Sequence, residues 1–317
     1  MARRRLYIPD EVKQEIQKHL TEKYPLALDG FLSASEEEDA LTGDLGATLR
    51  IKNQKVFVQN SQIEKPGEWT WSINYHKFRG RGPGATENKL GADGIFELTL
   101  KIGSRVEKKS LMFQSKINWT DDPNLIKETI KLTTWREAAF ILNFTSKEFE
   151  AIDIDSVIAS RGKRNDSLIT TPLDKYIGTT FLDCIVGDVD LKYDAVSRKL
   201  IWRTTTGQVV ATKFSIPHKI AIQITAPNVT YGHNLKYDEE ILNDKVHDYR
   251  MDASEEEMLS LKDNYSNSEL RKARATKAVI YHSDSHSFGD SFLDELMKRR
   301  MQEINAAHDK LKQKVKK

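Results

Sequence analysis

The spacing of apolar residues changes along the chain, and the changes divide it into a helical start, a strand-rich middle and a helical end. Residues 10–24, DEVKQEIQKHLTEKY, repeat their apolar positions at helical spacing and predict an amphipathic helix. A second helix is expected to begin near Ser33 in SASEEEDALTGDL, with serine oxygens as N-caps and the run of acids at the positive end of the helix dipole. In that register Glu38, Leu41, Thr42 and Leu45 fall at i, i+3, i+4 and i+7, so Glu38 shares a face with two leucines and should point inward. Strand signals follow. Trp69, Trp71, Ile73 and Tyr75 alternate with polar residues, the period of a half-buried strand. The chain then breaks at RGRGPGATENKLG, a loop with four glycines and one proline. Beyond it Phe96, Leu98, Leu100 and Ile102 form one face of a strand, leaving Asp93, Glu97 and Thr99 on the other. In the next strand Leu111, Phe113 and Ile117 form the apolar face, and Gln114 and Lys116 share the opposite one.

Residues 146–230 read as several further strands, including the stretch TTFLDCIVGDVDLKYDAVSRKLIWRTTTGQVVATKFSI, with DAVSRK as a hairpin turn. This region is expected to extend the first sheet or to form a small β-rich subdomain. A charged, loop-like segment follows, and the helical period returns at the C-terminal end. Leu270, Ala273, Lys277 and Ile280 mark one helix, and Leu293, Leu296, Ile304 and Leu311 mark another, so the two are expected to pack as an antiparallel hairpin. The resulting division is a unit over residues 1–235, a linker over 236–254 and a helical unit over 255–317.

Composition adjusts this picture only at its edges. At 317 residues the chain has room for one sizeable core and a second small unit, since domains commonly run about 100 to 200 residues. Lysine and arginine total 49 against 47 acids, and a formal charge of +2 is too small to mark a nucleic-acid binder by charge alone. Any basic surface must be local. A single cysteine, Cys184, excludes an internal disulfide framework, suits a reducing compartment and is expected to be buried. The start MARRRLYIPDEV has the charges of a signal peptide without the apolar segment that follows them in one. No window approaches the roughly 20 apolar residues that span a bilayer. A cytoplasmic protein with no membrane partner is therefore expected.

The polar sides of the two strands bring candidate chemistry together. Magnesium takes oxygen ligands and keeps several waters, so a phosphodiester-cleaving site needs only one or two carboxylates and a further oxygen. Asp93 supplies one ligand, the side-chain oxygen of Gln114 a second, and Glu38 or Glu87 a third. Lys116, held near these acids, would orient the attacking hydroxide and balance the charge that grows on the phosphate. Elsewhere Asp183 and Asp188 flank Cys184, and acids at strand ends are expected to be structural there.

The order Glu38, Asp93, Gln114-Ser115-Lys116 resembles the PD-(D/E)XK, or restriction-endonuclease-like, nuclease superfamily. The resemblance is to the glutamine-lysine variant, in which glutamine replaces the second acid, as in prokaryotic defence nucleases. It covers roughly residues 30 to 145 and is carried by EDALTGDL, GATENKLGADG and FQSK. It implies an α/β fold, a mixed sheet flanked by helices, with a leading helix that donates Glu38, a strand that carries Asp93 and a following strand that carries the triplet. It also implies Mg2+ as cofactor, with Mn2+ able to substitute, catalytic roles for Asp93, Gln114, Lys116 and Glu38, and metal contacts from Asp93, Gln114, Glu38 and Glu87. Two departures stand out. Ala92 occupies the position of the motif's proline, and Gln114 brings no charge, so metal affinity leans on Glu38 or Glu87.

The C-terminal end is similar to a J-domain. ELRKARATKAVIYH resembles its second helix and EINAAHDKL its third, while His282-Ser283-Asp284 stands where a His-Pro-Asp triplet would. The rigid proline turn is lost. The resemblance implies a partner-binding surface from His282, Asp284 and the basic face of Arg271, Lys272, Arg274 and Lys277. The combined expectation is a metal-dependent endonuclease acting on DNA in prokaryotic defence, with the J-like unit docking DNA, a defence-system partner or a chaperone, and with homo-oligomers compatible. The competing expectation is a catalytically inactive nuclease-fold adaptor or co-chaperone.

Overall fold

The computed structural model describes residues 6–33, 37–59, 66–78, 91–103, 105–133, 138–165, 168–194, 196–203, 209–213, 216–227, 255–259, 261, 265–281 and 291–315. The first helix, α1 (Asp10–Ser33), is longer than its pattern suggested. Val12, Ile16, Leu20, Tyr24 and Ala27 are all buried along one stripe, and this packing carries the helix through Pro25 despite the lost backbone hydrogen bond. Helix α2 (Glu38–Thr48) buries Leu41, Thr42, Leu45 and Gly46. Its N-cap corrects the expected serine: the position is Glu37, which makes no side-chain cap bond, and Ser33 closes α1 instead.

Strands β1 (Ile51–Val58), β2 (Gly67–Lys77), β3 (Gly94–Ile102) and β4 (Arg105–Ile117) follow, then α3 (Pro123–Leu132) and strands β5 (Ala139–Phe144) and β6 (Phe149–Ile152). Helix α4 (Ile154–Ala159), β7 (Thr170–Pro172) and α5 (Leu173–Lys175), continued by a π-helical turn over Tyr176–Phe181, come next. A hairpin of β8 (Lys192–Asp194) and β9 (Lys199–Arg203), then β10 (Val209–Lys213) and β11 (His218–Thr225), complete the strands. Among the described residues eight strands form one mixed sheet in the order β1-β2-β11-β3-β4-β5-β6-β7, and β10-β9-β8 form a second. The architecture is mixed α/β.

Two features of this sheet position the candidate residues. Strands β3 and β4 are antiparallel, whereas β4 and β5 are parallel and joined through α3, which therefore crosses over one face. Strand β11 pairs antiparallel with β2 and parallel with β3. The late β-rich region is thus more than an extension: its last strand sits inside the main sheet. Ile220, Ile222 and Ile224 face the same core as Phe96, Leu98 and Phe113, beneath α1 and α2. The other sheet face was expected to be polar, but Ile95, Met112 and Ile141 make it a second core with Leu125 and Leu132 of α3 and with Leu200 and Trp202 of β9.

Local corrections have local causes. The stretch TTFLDC was expected in strands, yet Tyr176–Phe181 is helical, with Gly178 close against the Gln17 side chain, where a Cβ would stand 2.9 Å from Cγ. The turn in DAVSRK is as expected: the Asp194 carboxylate accepts from the Val196 amide at 3.0 Å and from the Ser197 hydroxyl at 2.5 Å. Cys184 is buried, and Lys109 Nζ donates to its sulfur at 3.1 Å. Asp183 pairs with Lys13 at 2.7 Å and Asp188 accepts from the Asp190 amide at 2.8 Å, both structural contacts.

At the C-terminal end α6 (Glu255–Met258), α7 (Asn267–Tyr281) and α8 (Ser291–Val315) share a small core of Leu259, Leu270, Ile304, Ala307 and Leu311. Arg274 Nε donates to Asn305 Oδ1 at 3.0 Å between α7 and α8. Among the described residues no helix is long and apolar enough to cross a membrane.

Candidate active site

Asp93 ends the segment that leads into β3. Its amide donates to the Phe113 carbonyl of β4 at 2.8 Å, and its carbonyl accepts from the His218 amide of β11 at 3.2 Å. The backbone is therefore tied on both sides. Glycines make the close approach feasible: a Cβ at Gly94 would collide with the Phe113 ring, and Gly91, at φ +66°, lies where a Cβ would stand 2.6 Å from the Glu128 carbonyl oxygen.

The Asp93 carboxylate is held with equal care. Its Oδ2 accepts from Gln114 Nε2 at 2.8 Å and from the Ser115 amide at 2.7 Å. Because a carboxylate can only accept, the amide of Gln114 must present nitrogen to it and turn its oxygen away. That Oε1 is buried without a hydrogen-bond partner, a situation that typically costs about 1–3 kcal/mol. It is an oxygen donor in search of a proton donor or a cation.

Lys116, with a side chain 14% exposed, lies 3.2 Å from Glu128 Oε2 and 3.6 Å from Asp122 Oδ2. Burial pulls its pKa down, but Glu38, Glu128 and Asp122 together outweigh that and hold it above the ordinary lysine value. Lys116 is thus a cation at neutral pH. Glu38, in the first turn of α2, acts on it through its charge, and a hydroxyl pair fixes the position of that helix over β4. Thr42 Oγ1 donates to the Glu38 carbonyl at 2.8 Å, so in its 3.0 Å contact with Ser115 the serine hydroxyl is the donor.

Of the residues singled out by sequence, Asp93 and Gln114 therefore meet directly, Lys116 follows on the same strand and feels the charge of Glu38, and Glu87 lies outside the described residues. Glu97 shares the Asp93 face but is not part of the site: it is buried in ion pairs with Lys219 at 2.7 Å and Lys108 at 3.2 Å. Sequence reasoning missed Glu128. Leu125, Glu128, Thr129 and Leu132 stand at i, i+3, i+4 and i+7 in α3, the same register that singled out Glu38, and that signal was available. Asp122 was also missed; its Oδ1 caps α3 by accepting from the Asn124 amide at 2.9 Å.

A second polar chain borders the site and was not foreseen. His218, 1% exposed, has Nε2 2.9 Å from Asp39 Oδ1 and Nδ1 2.8 Å from the Tyr75 hydroxyl. Asp39 can only accept, so Nε2 carries the proton and the tyrosine donates to Nδ1 of the neutral ring. Burial holds the His218 pKa below its ordinary value against the opposing pull of Asp39. Lys77 Nζ completes the chain at 2.7 Å from Asp39 Oδ2. Burial alone would raise the Asp39 pKa, but its bonds from Lys77 and His218 lower it on balance. Burial and the Asp39 charge push Tyr75 up to about 12.

In the helical end Arg271, Lys272 and Arg274 are exposed, as expected of a basic face. Lys277 is not on it. That lysine is buried, and its Nζ pairs with Asp155 Oδ2 of α4 at 2.6 Å, because Leu270, Ala273 and Lys277 turn the same side of α7 inward. His282 and Asp284 lie outside the described residues.

Hard cations take carboxylate and amide oxygens as ligands. Among the described residues no three His, Cys, Asp or Glu side chains form a metal-holding group. No family model, curated protein or solved structure matched this chain.

Proposed function

We propose that the protein is a metal-dependent nuclease of the PD-(D/E)XK type that hydrolyses DNA phosphodiester bonds, with Glu38, Asp93 and Gln114 as the residues that would hold Mg2+ or Mn2+. The observation that carries this reading is the orientation of Gln114: its amide nitrogen is committed to Asp93 and its oxygen is buried without a partner. A bound magnesium ion would supply Lewis acidity to the scissile phosphodiester and to the water that attacks it. The remaining roles belong to side chains of the protein itself. Asp93 is held by two donors, so it presents a fixed carboxylate at the mouth of β3. Lys116 stays protonated among its acids and supplies positive charge to the phosphate as negative charge grows on it. Glu128 and Asp122 orient that lysine through their ion pairs.

In this reading the main sheet and its flanking helices form the nuclease unit, β8 to β10 form an appended layer, and the J-like helical unit serves as an adaptor. A cytoplasmic role in prokaryotic defence against foreign DNA follows from the family resemblance. The test is plasmid cleavage with magnesium and with chelator. Wild type should cleave only with the metal, and Lys116→Ala should lose activity by about 10²–10³-fold, the range for removing one preorganised donor. Undiminished cleavage by Lys116→Ala would sink the site assignment.

One observation favours a second reading. Arg271, Lys272 and Arg274 remain exposed on α7 while Lys277 anchors that helix to α4, which suits an adaptor that presents a basic face to an acidic partner. No cleavage with any divalent metal, together with loss of partner binding in the triple alanine variant of those three residues, would select it.

A further inference from the structure

We propose that His218 is a positioning residue for the candidate site: through Asp39 it clamps the first turn of α2, and with it Glu38, against the mouth of β3 and β4. The assignment of Glu38 to catalysis rests on the nuclease reading; the clamp itself rests on geometry alone.

His218 is the first residue of β11, and it touches both halves of the site. Its backbone amide donates to the Asp93 carbonyl at 3.2 Å, and its ring donates to Asp39, the neighbour of Glu38, at 2.9 Å. The ring is itself held from behind by the Tyr75 hydroxyl at 2.8 Å. The partners differ sharply in exposure. The His218 side chain is 1% exposed and its carboxylate partner 49% exposed. A buried imidazole whose N–H goes to a half-exposed acid does little for the core, but it tethers the start of a helix to the interior of the sheet. The same face of the helix is tethered again, at i+3 from Asp39, by Thr42 and Ser115 at 3.0 Å. Glu38 precedes both anchors, and its carbonyl accepts from the Thr42 hydroxyl at 2.8 Å. The same close packing explains Gly46, where a Cβ would collide with the Tyr75 ring.

The two ring nitrogens allow the contacts to be separated. In His218→Gln the terminal amide can reach Asp39 in place of Nε2, while in His218→Asn the shorter amide can reach Tyr75 in place of Nδ1 and leaves Asp39 held only by Lys77 at the rim. Asp39→Ala, at a half-exposed position, breaks that tether together with the Lys77 pair, with little risk to folding. Backbone hydrogen exchange of Leu41, Thr42 and Gly43 is measured in each variant, with Mn2+ binding by calorimetry and plasmid cleavage. We expect faster exchange in His218→Asn and Asp39→Ala, weaker Mn2+ binding and slower cleavage by about 10–100-fold, the usual effect of removing a partner that orients a ligand, and recovery in His218→Gln. In a Glu38→Gln background the His218→Asn penalty on Mn2+ binding should vanish, because the clamp acts through Glu38. A packing role would leave that penalty intact. Equal effects of His218→Asn and His218→Gln, or an undiminished penalty without Glu38, would overturn the proposal. If wild type neither binds Mn2+ nor cleaves DNA, the nuclease reading fails by itself. The exchange arm still decides the clamp, which stands if His218→Asn alone loosens the turn and falls if both substitutions do.

Discussion

Replacing Gln114 by glutamate would add a second acid beside Asp93, which the proposed nuclease reading would welcome, yet in the absence of metal it should destabilise the protein. The amide nitrogen of Gln114 donates to Asp93 at 2.8 Å, and both side chains lie at the end of a packed sheet. In Gln114→Glu an acceptor replaces that donor, and a hydrogen bond to a charged group, about 1.5–3 kcal/mol, is lost. Two carboxylates about 4 Å apart repel by a further 4 kcal/mol or so at an effective dielectric near 20. Proton uptake limits the damage: holding a glutamate protonated at pH 7, starting from an ordinary pKa of about 4.3, costs about 3.7 kcal/mol. The ceiling is therefore about 4 kcal/mol at pH 7 and about 5 kcal/mol at pH 8. The sign follows from linkage. An acid whose folded pKa is raised destabilises above its unfolded pKa, and the penalty fades as pH falls through that window and the shared proton returns the donor to Asp93. At roughly 2–4 °C per kcal/mol for a chain of this size, the melting temperature in chelator should fall by about 10 °C at pH 8 and by much less near pH 5. Added magnesium should restore most of the loss, because the carboxylate pair then has a counter-charge. Differential scanning calorimetry across pH, with and without the metal, reads all of this. An unchanged melting temperature in chelator at pH 8 would refute the geometry at Asp93, whereas a fall that magnesium does not reverse would refute the metal site.

Three further outcomes are expected. Gly46→Ala should force α2 away from the Tyr75 ring and lose about 1–3 kcal/mol of stability, as overpacking usually does, with weaker Mn2+ binding; chemical denaturation and calorimetry check both. Burial alone would raise the Glu150 pKa, but Arg164, which forms two bonds of 2.7 and 2.6 Å to its carboxylate, and Asn143 bring it below the ordinary glutamate value of 4.5. The pairing therefore stabilises the fold above that value and is lost as pH falls below it, so the melting temperatures of wild type and Arg164→Met should differ at pH 7 and converge on acidification. Lys277→Met should break the tether to Asp155 and speed hydrogen exchange in α7 while leaving β3 and β4 protected, which exchange measured by mass spectrometry would reveal.

Where strand and helix periods settle which residues face the same way, the sequence was readable. Alternation in β4 puts Gln114 and Lys116 on one face, and helical spacing turns Leu41 and Leu45 inward with Glu38 half-buried beside them, because side-chain direction is a property of each local backbone. The change from strand period to helical period near the C-terminal end was legible for the same reason. What lies opposite each face was not. Lys277 repeats with Leu270 as an interior position, yet only the packing of α7 on α4 gives it Asp155. The polar face of β4 became a core because α3 crosses over it, and that crossover, set by the pairing of β5 with β4, brings Glu128 to Lys116. His218 reaches Asp93 only because a strand more than a hundred residues later in the chain slots between β2 and β3. Local pattern determined which side chains could cooperate. The long-range pairing of strands, which depends on how whole apolar faces bury one another and not on any short stretch, decided which of them meet.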